Sequence, residues 1–282
     1  MQNWFEAHPD IVFAHSRLTG YYSTADFARR TEITKPEPEV IVASCENWVI
    51  PNFRPTVDIA VLRERLCVRL HDLYLEALVL IVTRGYHDVL RSMYAGYVGR
   101  GGTLGRSELL RPKELGHSDH DIEDAFDYDA VVALYERVFG PERVLVMPYE
   151  LFRDDPGEFL RQLEEAFGIG SYGRIPERVN VAISPAEITW YPRFSRVVDR
   201  GSKILGQRRS RFVERYHGLL EHGAFRRLAR ALARVTPPSV NLPPPDITSE
   251  TLERLYPRAA QLVARPAYAH YRSEYVDAIS IS

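Results

Sequence analysis

The sequence predicts an α/β protein in which a parallel sheet lies between two layers of helices, with further helices towards the C-terminus. Three observations support this three-layer αβα prediction. Short apolar runs rich in β-branched residues recur along the chain. Amphipathic helical patterns separate these runs, as βαβ units require. The chain has 282 residues, of which 45% are hydrophobic, so it can bury a core of this kind.

The predicted strands are three apolar runs. They lack the alternation of apolar and polar residues that a sheet with one exposed face shows. This pattern favours a parallel sheet that is covered on both faces. The runs are Glu39–Ser44, Leu78–Thr83 and Arg143–Met147.

Helices are predicted between and after these strands. Apolar residues recur at helical spacing over Asp58–Tyr74. A second helix covers Asp129–Phe139 and ends at Gly140-Pro141, because glycine and proline commonly follow a helix C-terminus. A third helix begins after Asp155, the predicted N-cap, with a proline at its first position, and it closes at Gly168.

The composition changes after residue 188. Positions 189–235 hold twelve Lys and Arg against three acids, a local charge of +9 in a chain whose net charge is −2. A Pro-rich stretch over 237–245 predicts an extended loop, and one more helix is expected over about Ser249–Ala264. We therefore predict a core over 1–188 and a basic helical extension over 189–282 that packs on it. The basic residues are interpreted either as a surface for an anionic partner or as a solvated helix face.

Composition argues against several classes of protein. The net charge disfavours a globally basic nucleic-acid-binding protein. Two cysteines, Cys45 and Cys67, cannot form a disulfide framework, and neither has metal-ligand spacing, so no metal is expected. The longest apolar run, Ala77–Val82, is too short to span a bilayer. The N-terminus lacks a signal-peptide pattern, and a cytoplasmic protein is expected.

The most informative segment is the turn after the second predicted strand. Arg84 ends the strand, Gly85 turns the chain, and Asp88 falls in the first turn of the next helix. Ligands of open α/β sheets bind outside the carboxyl ends of the strands, and a cation beside helix N–H groups suits a phosphate. Ser92, eight residues after Arg84, can present its hydroxyl to the same crevice. The alternative is a surface ion pair at Arg84 and a solvated serine.

This segment resembles the 3′-phosphate-binding motif of the sulfotransferases that use 3′-phosphoadenosine 5′-phosphosulfate (PAPS), in which a serine follows a strand-ending arginine by eight residues. The resemblance, to the bacterial type, covers roughly residues 75–170. It includes an aromatic pair and a Gly-Gly loop at 94–102, a strand ending in Tyr-Glu at 144–150, and the helix at 155–168. It implies a P-loop NTPase-like sulfotransferase core in which Arg84 and Ser92 bind the 3′-phosphate of PAPS.

One part of the family pattern has no counterpart. Sulfotransferases hold the 5′-phosphosulfate in a Lys-x-Gly-Thr-Thr loop, and this sequence contains no such run. Its first residues resemble the helix that follows that loop. Either Met1 is an internal methionine of a longer chain, or the protein lacks the loop. In both cases we expect a missing central strand beside Arg84, and weak or absent catalysis.

Sulfuryl transfer to a hydroxyl or amine requires a general base near the sulfur. Glu46 directly follows the first predicted strand, and its position resembles that of the base in some family members. His15 lies in a segment where other members carry a glutamate base. The structural alternatives are a capping carboxylate for Glu46 and a turn histidine for His15. Glu150, after the third strand, is interpreted as a cap of the turn into the next helix rather than as catalytic.

Three hypotheses follow for the function. The first is an enzyme that transfers the sulfuryl group of PAPS to a carbohydrate, lipid or small-molecule acceptor. The second is a non-catalytic protein that binds 3′-phosphorylated nucleotides such as 3′-phosphoadenosine 5′-phosphate (PAP). The third is a membrane-surface protein that uses the basic helices between Arg193 and Arg234. No nucleic-acid partner is expected.

Overall fold

The structure, a computed structural model, describes residues 2–14, 40–43, 59–109, 122–175, 183–203, 209–221, 223–236 and 247–276. These residues belong to two compact units, each assembled from separate stretches of the chain. The first unit contains the described residues of Met1–Gly85, Pro112–Arg178 and Arg254–Ser282. The second contains those of Tyr86–Arg111 and Val179–Glu253.

The described helices and strands are, in chain order, α1 (Gln2–Ala7), β1 (Ile11–Ala14), β2 (Val40–Ala43), α2 (Ile59–Leu73), β3 (Val79–Thr83), α3 (Tyr86–Gly99), α4 (Arg106–Leu109), α5 (Ile122–Ala125), α6 (Tyr128–Phe139), β4 (Val144–Pro148), α7 (Tyr149–Asp154), α8 (Pro156–Phe167), α9 (Pro185–Ser202), α10 (Arg209–Glu221), α11 (Arg226–Val235), α12 (Ser249–Leu255) and α13 (Arg272–Tyr275). Short 3₁₀ segments cover Pro141–Arg143, Tyr256–Ala259, Leu262–Ala264 and Pro266–Tyr268.

The strands pair in parallel within the first unit. β1 pairs with β2, with Ile11 opposite Val40, and β3 pairs with β4, with Val79 opposite Val144. Within the described ranges these are two separate two-stranded sheets. The three predicted strands are confirmed, and each lies in a parallel pair, but the single sheet predicted to hold all three is not formed within the described ranges. β1 was not predicted, because four apolar residues after a turn are too short a run to identify by pattern.

The β3–β4 pair is buried on both faces. Leu80 and Val82 on one face pack against a hydrophobic cluster that contains Phe159 of α8. The intervening residues of a strand point to the opposite face, and there the Thr83 hydroxyl contacts Tyr268 and Tyr275. The cluster on the first face is made of Trp4, Phe5, Ile11, Met147, Phe159, Leu160 and Leu163.

The ends of α6 and α8 follow the sequence signals. The side chain of Asp155 accepts a hydrogen bond from the Glu158 N–H at 3.0 Å and caps α8. Gly168 closes that helix in the left-handed conformation, with φ of 66°, which a glycine adopts at little cost. Asp127 caps α6 by accepting from the Ala130 N–H at 2.9 Å. The predicted α2, α6 and α8 are therefore confirmed.

The second unit is helical within the described ranges and has a core of its own. Tyr94 and Val98 of α3 pack in this core with Tyr191 of α9 and with residues of α10 and α11. The predicted basic segment is thus helical. Ser184 begins α9 with a reciprocal capping box, in which its side chain and that of Glu187 each bond the other's backbone N–H.

The prediction of one continuous helix over about 249–264 was wrong in its second half. The α-helix ends at Leu255, and 3₁₀ segments continue the chain from Tyr256. Pro257 explains the change, since a proline lacks the N–H that a helix interior requires and its ring clashes with the preceding turn.

Candidate functional site

The candidate site is built on the turn of residues 83–85, which follows β3. Thr83 is the last residue of β3 and is buried, Arg84 and Gly85 lie outside regular structure, and α3 begins at Tyr86. The predicted order of strand, Arg-Gly turn and helix is confirmed. We call residues 83–85 the Arg84 turn.

Glu150 holds the backbone of the Arg84 turn. It lies at the start of α7, directly after the neighbouring strand β4, and its side chain is completely buried. Its Oε1 atom accepts a hydrogen bond from the Gly85 N–H at 2.8 Å, and Oε2 accepts from the Tyr275 hydroxyl at 2.6 Å. Glu150 therefore caps a backbone N–H, as the sequence analysis expected. That N–H belongs to the turn after β3, however, and not to the turn that leads into α7.

Tyrosine hydroxyls hold the other two residues of the turn. The Thr83 hydroxyl lies 2.7 Å from the Tyr268 hydroxyl and 3.1 Å from that of Tyr275. The Tyr128 hydroxyl donates to the carbonyl oxygen of Arg84 at 2.7 Å. Burial raises the pKa of Tyr128, Tyr268 and Tyr275, and for Tyr275 the nearby Glu150 carboxyl raises it further. These phenols therefore stay protonated and keep their hydrogen bonds.

Gly85 is required by a close approach of the chain. A Cβ atom at this position would lie 2.8 Å from the Cβ of Glu274 and 3.0 Å from its backbone oxygen. The Glu274 carboxylate is held in turn by Arg153, whose Nη2 lies 2.9 Å from Oε1. A larger residue at 85 would push α13 away from the turn.

The Arg84 side chain is half-buried and stacks on an aromatic ring. Its guanidinium carbon Cζ lies 4.7 Å from the centroid of the Tyr149 ring. Stacking favours one orientation of the planar guanidinium, and an oriented guanidinium presents its donors to a phosphate or carboxylate at lower entropic cost. The Gly85 N–H already donates to Glu150, so an anion at this turn would have to be bound by the Arg84 side chain.

The other predicted phosphate ligand belongs to the second unit. Ser92 lies near the middle of α3, and its side chain is exposed, so its hydroxyl is accessible to a ligand. Its joint action with Arg84 is part of the proposal below. The candidate bases Glu46 and His15 lie outside the described residues, so both remain predictions.

The Gly-Gly loop after α3 has a structural reason for its glycines. The Tyr97 ring lies against Gly102 and leaves no room for a Cβ atom there. The Tyr97 hydroxyl also accepts hydrogen bonds from the Thr103 and Leu104 N–H groups at 3.0 and 3.1 Å. The aromatic residue and the loop that the sequence pattern paired are therefore in direct contact.

Sequence reasoning missed the tyrosines that hold the Arg84 turn. Tyr268 and Tyr275 are 185 and 192 residues from Thr83, and no local pattern links them. Tyr128 lies in a helix whose apolar stripe gives no reason to single it out. The one available signal was the position of Glu150 at the end of a neighbouring strand.

In the described part of the chain, no group of three or more His, Cys, Asp or Glu side chains is placed to hold a metal ion. No described helix combines the length and the apolar character needed to cross a membrane.

Comparisons with models of known families, with curated proteins and with solved structures find no match to this chain.

Proposed function

We propose that this chain is a PAPS-dependent sulfotransferase whose Arg84 and Ser92 bind the 3′-phosphate of the nucleotide. The proposal follows the resemblance of residues 75–170 to that family. The sulfuryl group would pass to a hydroxyl or amine of a carbohydrate, lipid or small molecule. Glu46 and His15 are the proposed bases, no metal takes part, and the proposed location is cytoplasmic.

The observation that carries the proposal is the construction of the Arg84 turn. Arg84 directly follows the last residue of β3, and the N–H of the next residue, Gly85, is fixed by the buried carboxylate of Glu150. The Tyr128 hydroxyl bonds the carbonyl oxygen of Arg84, and the Tyr149 ring orients the Arg84 guanidinium. Such a set of restraints is more than a surface ion pair requires, and it suits recognition of a doubly charged phosphate by an oriented guanidinium.

The packing of β3 and β4 supports the proposed three-layer core. The pair is covered on one face by the cluster around Phe159 and on the other by Tyr268 and Tyr275. α6 also packs against both strands. In a three-layer core of this type the carboxyl ends of the strands carry the ligand, and Arg84 stands at that end of β3.

Calorimetric titration with PAP and with adenosine 5′-phosphate tests the site directly. We expect the wild-type protein to bind PAP at least about tenfold more tightly, because the 3′-phosphate adds charge-assisted hydrogen bonds. Arg84→Ala should abolish this preference. Ser92→Ala should weaken PAP binding about two- to tenfold, the usual effect of one neutral hydrogen bond.

Arg69→Ala is the matched control, because Arg69 is an exposed arginine on α2 of the first unit. It should leave PAP affinity unchanged, and circular dichroism should show that Arg84→Ala keeps the fold. A wild-type protein that binds both nucleotides equally would refute the assignment.

A measurement of sulfuryl transfer from PAPS then separates the first two hypotheses. PAP binding without transfer identifies a non-catalytic nucleotide-binding protein. The binding test is informative in either case, because it concerns only the 3′-phosphate.

A further inference from the structure

The helix α11 combines positive charge with exposed apolar side chains. Its ten residues include four arginines and no acid. Arg226 pairs with the buried Glu187 at 3.1 Å, so it has a role within the second unit. Arg227, Arg230 and Arg234 are exposed and form no ion pair with any described residue.

Helical geometry places these groups on one exposed arc of α11. At 100° per residue, Arg230, Arg234 and Arg227 span a sector of about 60°. Val235 and Leu228 lie about 80° and 100° further around the helix, while Ala229 on the opposite side is buried in the core. Val235 is 78% exposed and Leu228 is 46% exposed. We call these five exposed residues the α11 strip.

The neighbouring helix has the same combination of groups. α9 packs against α11, and its Val197 is 70% exposed between the exposed arginines Arg196 and Arg200. Apolar side chains exposed among arginines are a feature of helices that lie in a membrane interface, where the arginines contact headgroups and the apolar groups enter the acyl boundary.

We propose that the α11 strip binds the surface of an anionic lipid bilayer. The positive charge of the strip complements anionic headgroups, and Val235 and Leu228 supply contacts that a purely electrostatic partner would not use. A nucleic acid is the other polyanion that the arginines could attract, but its phosphates gain nothing from the two apolar side chains. This inference is independent of the proposed nucleotide site.

Sedimentation with phosphatidylcholine vesicles, with and without phosphatidylglycerol, tests the proposal. The full chain should sediment with the anionic vesicles and not with the neutral ones, and added salt should weaken the binding. Arg230→Glu/Arg234→Glu should lower the vesicle affinity at least about tenfold. Val235→Asp should also weaken it, because an apolar contact is replaced by a negative charge.

A charge-matched control is available in the first unit. Arg65 and Arg69 are exposed on α2 with the same four-residue spacing, so Arg65→Glu/Arg69→Glu changes the net charge equally. This control should keep most of the vesicle binding. Equal losses in the two double variants would overturn the proposal, since net charge alone would then explain the attraction.

Two further outcomes would overturn the proposal that the α11 strip binds anionic bilayers. One is a wild-type chain that does not sediment with anionic vesicles at low salt. The other is tighter binding to a DNA duplex than to the vesicles with no effect of Val235→Asp, which would identify a nucleic acid as the partner. Circular dichroism of each variant confirms that these surface substitutions leave the helices intact.

Discussion

At the residue scale, the Arg84 turn shows how buried polar groups can fix the backbone at the end of a strand. Glu150 accepts two hydrogen bonds inside the first unit, one from a backbone N–H and one from a phenol. A buried carboxylate is costly unless its oxygens are satisfied, and both oxygens of Glu150 are. The turn is therefore specified by a set of hydrogen bonds that are lost together if one partner is changed.

Glu150→Gln is expected to destabilise the protein by about 1–3 kcal/mol. The amide nitrogen of glutamine is a hydrogen-bond donor and cannot accept. In one of the two hydrogen bonds that Glu150 accepts, the partner's donor would therefore face another donor. Urea unfolding measures the change. Glu165→Gln is the control, because Glu165 is exposed on α8 and its ion pair with Arg161 contributes little. An equal effect of the two substitutions would show that Glu150 has no special role.

Gly85→Ala is expected to cost about 1–3 kcal/mol, because the added methyl group would overlap Glu274. Gly157→Ala on α8 provides the comparison. Its Cβ would meet only Asp155, at an ordinary 3.5 Å, and alanine favours a helix, so this variant should be neutral or slightly stabilising. Thermal unfolding of both variants tests the difference, and a harmless alanine at 85 would contradict the close approach.

At the element scale, α9 depends on its first turn. Glu187 accepts from the Ser184 backbone and hydroxyl, from the Tyr191 hydroxyl at 3.0 Å and from Arg226. One carboxylate therefore joins the start of α9 to α11 within the second unit. Burial alone would raise the pKa of Glu187, but the hydrogen bonds outweigh it and hold the pKa below its ordinary value.

This lowered pKa predicts an acid-sensitive contribution to stability. Glu187 should stabilise the fold above the ordinary glutamate pKa, and the contribution should disappear as pH falls through the lower pKa of the folded state. Urea unfolding at neutral and acidic pH measures this contribution. Between the two pH values, the free energy of unfolding should fall less in Glu187→Gln than in the wild type. Glu214→Gln, at an exposed position on α10, should keep the wild-type pH dependence.

At the scale of the whole molecule, the described residues form two units with separate cores. Cys67 lies in the first unit and is fully buried on α2. Burial raises the pKa of its thiol to about 12. The thiolate is the reactive form, so this side chain is protected both by burial and by protonation.

Cys67 should therefore report the opening of the first unit. In a Cys45→Ser background, we expect no reaction with a thiol reagent in the folded protein at mildly alkaline pH, and full reaction after unfolding. The reaction rate in intermediate urea then measures how often this unit opens. Rapid labelling of the native protein would contradict the burial of Cys67.

The sequence predicted those features that depend on neighbouring residues. β-branched runs marked β3 and β4, and the Asp155 and Gly168 signals marked both ends of α8. Contacts between distant segments left no such mark, so Tyr268 and Tyr275 could not be foreseen. The position of Arg84 was predictable because it depends on local chain order, whereas the hydrogen bonds that hold it depend on the complete fold.

The hydrogen bonds between the Thr83 hydroxyl and those of Tyr268 and Tyr275 also determine when the end of β3 can become fixed during biosynthesis. A ribosome produces Thr83 well before its partners, because the phenols that contact its hydroxyl come 185 and 192 residues later. Until that late segment is translated, the nascent chain lacks the phenols that hold the Thr83 hydroxyl. The contacts that hold the end of β3 are therefore complete only after residue 275 has been translated, and a nascent chain that stops before Tyr268 should lack both of them.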